Sequence, residues 1–259
     1  MSLSPSSDTR VSTTIVSAFY DVYESGSPVG WTSDRQKHAA KLLSLDCPIV
    51  LFLEPDASKG IREMASGKPN VHIIDRYLAS LSTTRVITNS GLTGPPTDNP
   101  VKDTVGFLNI MHCKPELVGI AAEINPHKTT HFAWVDLCIN KIFRNEQSLV
   151  NLSTSLASPT KSPILLIPGC WQSDYGYALT PDRVHWRFAG GVFLADHSSA
   201  QSFSTVCLSN LESFLTESGI VSWEVNYWAW LERKQLLPSS FTWKYTDHND
   251  SMADSLHLI

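Results

Sequence analysis

The sequence predicts an α/β fold with a parallel sheet flanked by helices. Two observations carry this. Apolar runs of strand length recur at Thr13–Tyr20, Pro48–Leu53 and Val71–Ile74. Helix-compatible segments separate them, so strand and helix alternate from the start of the chain. Crossovers between parallel strands are right-handed, which places the helices on the sheet faces.

Each element has its own signal. Thr13–Tyr20 is β-branched and aromatic and reads as a buried strand. Asp21–Gly30 carries Gly26, Pro28 and Gly30 and reads as a loop. Ser33 with Gln36 three residues later has the capping-box pattern, opening a helix that runs to about Leu45. Ala57–Ala65 is a short helix, and Asn89–Asn99 is a Gly/Pro/Thr loop. Val101–Ile124 is expected as two helical pieces, because Pro115 suits the first turn of a new helix better than the interior of an old one. His131–Leu137 is a strand, and the Ser-rich stretch Asn145–Ser162 is expected as a surface loop or insertion. Ile164–Ile167 and Arg187–Leu194 follow as strands. Ser198–Thr216 has apolar residues at helical spacing, Trp223–Lys234 is a second late helix, and Phe241–Tyr245 alternates as a strand. No internal repeat or composition break divides the chain. Residues 1–11 are therefore expected as a flexible polar tail and 12–259 as a single domain.

Composition narrows the function classes. The 259 residues carry 20 Lys+Arg against 25 Asp+Glu, a net charge of −5, with 42% hydrophobic residues and eight Trp. This excludes a disordered chain. It also argues against nucleic acid as a partner, since binding phosphates needs clustered Lys and Arg. No apolar run approaches the roughly 20 residues of a membrane span. The polar N-terminus lacks the apolar segment of a signal peptide. A soluble, cytoplasmic protein is expected. The five cysteines form no Cys-x-x-Cys pair and read as buried reduced thiols. The sequon matches at Asn151 and Asn249 are chance in this setting, and His127 with His131 reads as a loop and a strand-start histidine.

Four segments could carry chemistry. Asp136 ends the strand Phe132-Ala133-Trp134-Val135, at the carboxyl end where open α/β sheets bind ligands. An acid there can hold a divalent cation against phosphate, or simply turn the chain. The polar turn Thr246–Asp250 contains His248. A mixed carboxylate–imidazole site suits Mn²⁺ better than Mg²⁺ or Ca²⁺. Gly190 and Gly191 interrupt an apolar strand, which marks a bulge or the close approach of a ligand or backbone. In Trp223–Trp230, Glu224 lies among aromatic rings with Asn226, a composition suited to sugar recognition or to core packing.

Taken in order, Thr14–Asp21, Met111–Leu117 with Lys114, Phe132–Asp136, Ala189–Phe193, Trp223–Asn226 and Asp247–Asp250 resemble the HtrL/YibB (WlaTC/HtrL-type) glycosyltransferase-like family. The resemblance implies a GT-A-like domain with a Rossmann-type mixed, mostly parallel sheet that binds a nucleotide-sugar and transfers the sugar to a hydroxyl of a glycan or other acceptor; UDP is the expected nucleotide. It implies that Ala18, Phe19 and Tyr20 flank the nucleotide; Trp134, two residues before Asp136, is a further candidate on the donor side. Asp136 and His248 would be metal ligands for Mn²⁺ or Mg²⁺. Gly190, Gly191 and Glu224 would line the sugar or acceptor site; Trp223 and Asn226, beside Glu224 in the aromatic segment, are further candidates there. The sequence departs from the common Asp-x-Asp pattern, reading Asp136-Leu137-Cys138.

On this reading a cation bridges the two phosphates, with Lys114 or Arg62 adding positive charge. Glu224 is the candidate catalytic base if the reaction inverts, and retention stays open. A non-catalytic nucleotide-sugar or glycan-binding protein on the same fold is the alternative, favoured by the missing second acid. A hydrolase is less favoured, since no Gly-x-Ser-x-Gly elbow, P-loop or His-Glu-x-x-His motif is present.

Overall fold

The computed structural model of the protein describes residues 13–23, 30–55, 59–157, 162–173 and 180–256. The predicted tail at 1–11 and most of the loop over 21–30 lie outside the described residues.

Seven strands join in one sheet: β1 (Thr13–Phe19), β2 (Ile49–Leu53), β3 (Val71–Asp75), β4 (His131–Val135), β5 (Leu165–Gly169), β6 (Val192–Asp196) and β7 (Phe241–Tyr245), in the order β3-β2-β1-β4-β6-β5-β7. The pairs β1–β2, β2–β3, β1–β4 and β5–β7 are parallel, while β6 runs antiparallel to both β4 and β5. Six strands therefore share a direction, and their carboxyl ends meet at one edge together with the amino end of β6. The mixed, mostly parallel sheet read from the sequence is the observed one.

The alternation of side chains along each strand divides the core in two. On one face Val16, Val50, Phe52, Phe132, Trp134 and Phe193 pack with α3 (Ser82–Ser90), α4 (Val105–Ile124), α6 (His197–Ser218) and α7 (Glu224–Arg233). On the other, Ile15, Ile49, Leu51, Ala133, Val135 and Leu194 pack with α1 (Ser33–Leu43), α2 (Lys59–Ala65), α5 (Gln147–Ala157) and α8 (Met252–Ser255). Buried on both sides, the central strands read as continuous apolar runs, as parallel strands do. No helix among the described residues is long and apolar enough to cross a membrane.

Several local expectations are corrected. The cap of α1 is Thr32, whose hydroxyl accepts from the Arg35 N–H, so Ser33 is already inside the helix. α4 is one helix through Pro115, because the burial of Leu108, Cys113, Leu117 and Ala121 against the sheet outweighs a proline cost of about 3 kcal/mol. The described part of the expected loop over 145–162 contains α5. Leu149, Leu152 and Leu156 there have helical spacing and are buried, which outweighs the Ser content. The strand expected over 187–194 begins at Val192. Helices α3 and α8 had no sequence expectation.

Candidate active site at the strand carboxyl ends

The reversed strand β6 brings the sequence-distant pieces together. In the antiparallel register Val135 faces Val192, so the next residue of β4, Asp136, meets Gly191, and the Asp136 N–H donates to the Gly191 carbonyl at 2.9 Å. Helix α4 crosses this face of the sheet and delivers Lys114 from the side. Helix α7 starts at the same place, with Glu224 as its first residue, where the helix dipole favours a carboxylate.

Lys114 is the hub. Its ammonium donates to the Gly190 carbonyl at 2.9 Å and to Glu224 Oε1 at 2.8 Å, and lies 3.1 Å from Asp136 Oδ1. Asp136 Oδ1 also accepts from the Trp134 indole N–H at 2.7 Å, and the ammonium stands over that indole ring. Lys114 is only 1% exposed, although charged side chains are almost never buried unless paired. Burial alone would lower its pKa. The Asp136 and Glu224 carboxylates and their hydrogen bonds reverse this and raise it above the usual lysine value. One ammonium between two carboxylates leaves the cluster one net negative charge.

Around the hub opens a cleft of about 610 Å³, within the range of small-molecule sites. Ala18, Phe19 and Tyr20 form the wall at the end of β1, with Trp134, Asp136 and Lys114 on the floor. Gly190, Gly191, Trp223, Glu224 and His248 line the other side. Thus eleven of the thirteen predicted site residues line one cleft. The exceptions are Arg62 and Asn226. Arg62 pairs with Asp75 and donates to the Glu54 carbonyl at 2.7 Å, away from the cleft. Asn226 is buried, accepting from the His185 N–H and donating to the Arg183 carbonyl and the Ser222 hydroxyl. Nor do Trp228 and Trp230 line the cleft: both belong to the core of the α4/α7 face.

The glycine pair has a specific purpose. A Cβ on Gly190 would stand 2.2 Å from Glu224 Oε1, and one on Gly191 would stand 2.9 Å from Ile139 Cδ1. At Gly190 the close approach that the sequence suggested is therefore made by the Glu224 side chain, over a residue whose carbonyl holds Lys114.

His248 reaches the cleft from the turn after β7, with its ring 4.7 Å from that of Trp186. Burial lowers its pKa against the opposing pull of Asp136, so at neutral pH the imidazole is unprotonated and can donate a lone pair. The turn is clipped to the segment before α5 by Asp250, which accepts from the Arg144 and Asn145 N–H groups and from the Ser148 hydroxyl. Cys138, in the place of the missing second acid, is a half-buried thiol whose pKa burial raises. Among the described residues no group of three or more His, Cys, Asp and Glu side chains clusters as a metal centre.

Sequence reasoning missed the rim. Arg35, Lys102 and Lys141 line the cleft with Tyr23 and Trp186. Lys141 pairs with Asp34 at 3.0 Å, and the Arg35 guanidinium lies over the Tyr23 ring. Lys141 follows Asp136 by five residues and could have been found by that proximity. Arg35 is brought in by the packing of α1, which no local pattern records.

No family model matches the chain, and no curated protein does. Among solved structures the chain is similar to a glycosyltransferase involved in the glycosylation of the major capsid of PBCV-1, at TM-score 0.43 and 11% identity, covering 90% of this chain and 81% of that one. It is also similar to the 4-diphosphocytidyl-2C-methyl-D-erythritol synthase from Anaerococcus prevotii DSM 20548, at TM-score 0.42 and 11% identity, covering 88% and 97%.

Proposed function

We propose that the protein is a GT-A-like glycosyltransferase that moves a sugar from a nucleoside-diphosphate sugar, with UDP as the expected nucleotide, to a hydroxyl of a glycan or other acceptor. The observation that carries this reading is the Lys114–Asp136–Glu224 cluster on the floor of an aromatic cleft at the carboxyl ends of parallel strands. Tyr23, Trp186 and Trp223, half-buried on the cleft wall, offer flat ring surface to a base or a sugar, backed by the buried rings of Phe19, Tyr20 and Trp134. Arg35, Lys102 and Lys141 place positive charge where a diphosphate would enter.

Asp136 and His248 would hold a divalent cation, Mn²⁺ by the mixed oxygen–nitrogen donor set, with the remaining positions left to phosphate oxygens. Such an open site needs a carboxylate oxygen left for the cation, which supports this reading. Lys114 and Trp134 occupy Asp136 Oδ1, whereas Oδ2 is the oxygen on the Gly191 side, and the cluster's net negative charge attracts a cation. When bound, the cation neutralises charge on the departing nucleotide. The chain's own part is to fix the donor. Trp134 and Lys114 orient Asp136, and Lys114 holds Glu224 against Gly190, facing the cleft. In an inverting reaction the Glu224 carboxylate would accept the acceptor's hydroxyl proton. The five cysteines are all free thiols, which supports a reducing, cytoplasmic setting.

The test is nucleotide release from a panel of UDP- and GDP-sugars with Mn²⁺, with and without glycan acceptors. Turnover that requires Asp136 and is stimulated by a hydroxyl acceptor is expected. The Lys114–Asp136 contact also favours a second reading, a non-catalytic binding module, because an ammonium already occupies one oxygen of the acid. Calorimetric binding of a UDP-sugar without metal, together with no turnover across the panel, would select that reading.

A further inference from the structure

We propose that Lys114 is an internal counter-ion that sets the metal affinity of the cleft, rather than a ligand for the donor's phosphates. The inference rests on the proposed metal-assisted reading of the site. The ammonium has three hydrogens, and the chain supplies three acceptors: the Gly190 carbonyl, Glu224 Oε1 and Asp136 Oδ1. At 1% exposure it has neither a spare donor nor an open side for a phosphate. What it does present to the cleft is charge. With the ammonium in place, Asp136 and Glu224 contribute one net negative charge; without it they would contribute two.

A divalent cation therefore meets a half-neutralised site that has only two protein donors. Alone, it binds weakly. Arriving with a diphosphate, it brings its own oxygen ligands, and the rim cations Arg35, Lys102 and Lys141 meet the phosphate charge. Lys114 thus makes entry of the cation depend on the nucleotide, and limits its retention once the nucleotide has left.

The test is a charge series read by Mn²⁺ binding to the nucleotide-free protein, using the loss of the free-ion electron paramagnetic resonance signal. Lys114→Met takes the local charge from −1 to −2, and Glu224→Gln takes it to 0. The double variant Lys114→Met/Glu224→Gln returns it to −1. Each unit charge at this range in a partly hydrated cleft is worth about tenfold in affinity. Lys114→Met should bind Mn²⁺ about tenfold more tightly than the wild type, and Glu224→Gln about tenfold more weakly. The double variant should lie within about threefold of the wild type. If Lys114→Met does not fold, the tighter binding of the double variant than of Glu224→Gln carries the same test.

A folded Lys114→Met with unchanged or weaker Mn²⁺ binding, or a double variant no tighter than Glu224→Gln, would overturn the proposal. Affinity that follows charge in this order is not what a purely structural lysine would give. Because the readout is metal binding, it is separate from turnover. Sugar transfer with a flat series would remove the counter-ion role and leave the transferase reading, while an intact series without transfer would do the reverse.

Discussion

Glu224 lies against the bare Cα of Gly190, with so little room that a single methyl group there would overlap Oε1 at 2.2 Å, while the Gly190 carbonyl and that same oxygen both receive Lys114. Backbone and side chain on either side of the ammonium are thus fitted to each other. Gly190→Ala should expel the carboxylate from Lys114, cost about 1–3 kcal/mol of stability as overpacking does, and abolish turnover. Gly94→Ala, whose Cβ would meet only ordinary contacts at 3.5 Å or more, is the control. Thermal unfolding and nucleotide release, measured on both variants, check this.

Asp136→Ala removes an acid that Lys114 and Trp134 hold in place. Nucleotide release should fall at least about 100-fold, the scale of losing a key electrostatic group. His248→Ala should raise the Mn²⁺ concentration needed for half-maximal rate. Full turnover by Asp136→Ala at saturating Mn²⁺ would refute the ligand role.

At the entrance to α1, Thr32→Ala should cost about 1 kcal/mol, the usual value of a lost N-cap, while Ser33→Ala should change stability little. Denaturant midpoints of the two variants distinguish the observed cap from the one that the capping-box pattern suggested.

Arg187 is buried, pairs through two nitrogens with Glu232, and lies over the Trp243 ring. Arg187→Ala would leave the Glu232 carboxylate, 22% exposed, to water and should cost about 1–2 kcal/mol, less than the breaking of a fully buried pair. Arg187→Met/Glu232→Leu should recover most of that loss, read as thermal midpoints.

Asp196 caps α6 through the Ser199 N–H and also accepts from Ser198 and the Ile164 N–H. Burial acts to raise its pKa, but these hydrogen bonds prevail and hold it below the ordinary 3.8. The folded value is the lower one, so its contribution is complete above about 3.8 and is lost as pH falls through the folded value. Asp196→Asn should flatten the fall of stability below about pH 4 in acid titrations followed by circular dichroism.

The sheet was legible because its strands are buried on both faces: Ile49-Val50-Leu51-Phe52-Leu53 can be little else. The cleft was legible wherever a functional residue directly followed a strand or opened an element, as with Tyr20, Asp136 and Glu224. It was illegible where packing supplies the neighbour. Arg35 comes from the first turn of α1, and Asn226, two residues from Glu224 on the same helix, turns into the protein. The Trp content divides between the two roles that its composition allowed, since Trp228 and Trp230 serve the core and the cleft takes Trp134, Trp186 and Trp223. The Leu spacing of α5 was outweighed by its serines, and Pro115 was given more power to break a helix than a buried helix allows.

The placement of β7 at the outer edge beside β5, with the His248 turn fastened by Asp250 to the segment before α5, also bears on synthesis. Every other residue that lines the cleft precedes β7 in the chain and is made before it. The imidazole wall comes last, after a strand that must pair with one about 75 residues earlier. Domains take shape as the chain emerges. The nascent protein can therefore bring the rest of the cleft lining together before the His248 side, which waits on β7, on the turn that follows it and on the core residues Met252 and Ala253 of α8 and Leu256 just after it.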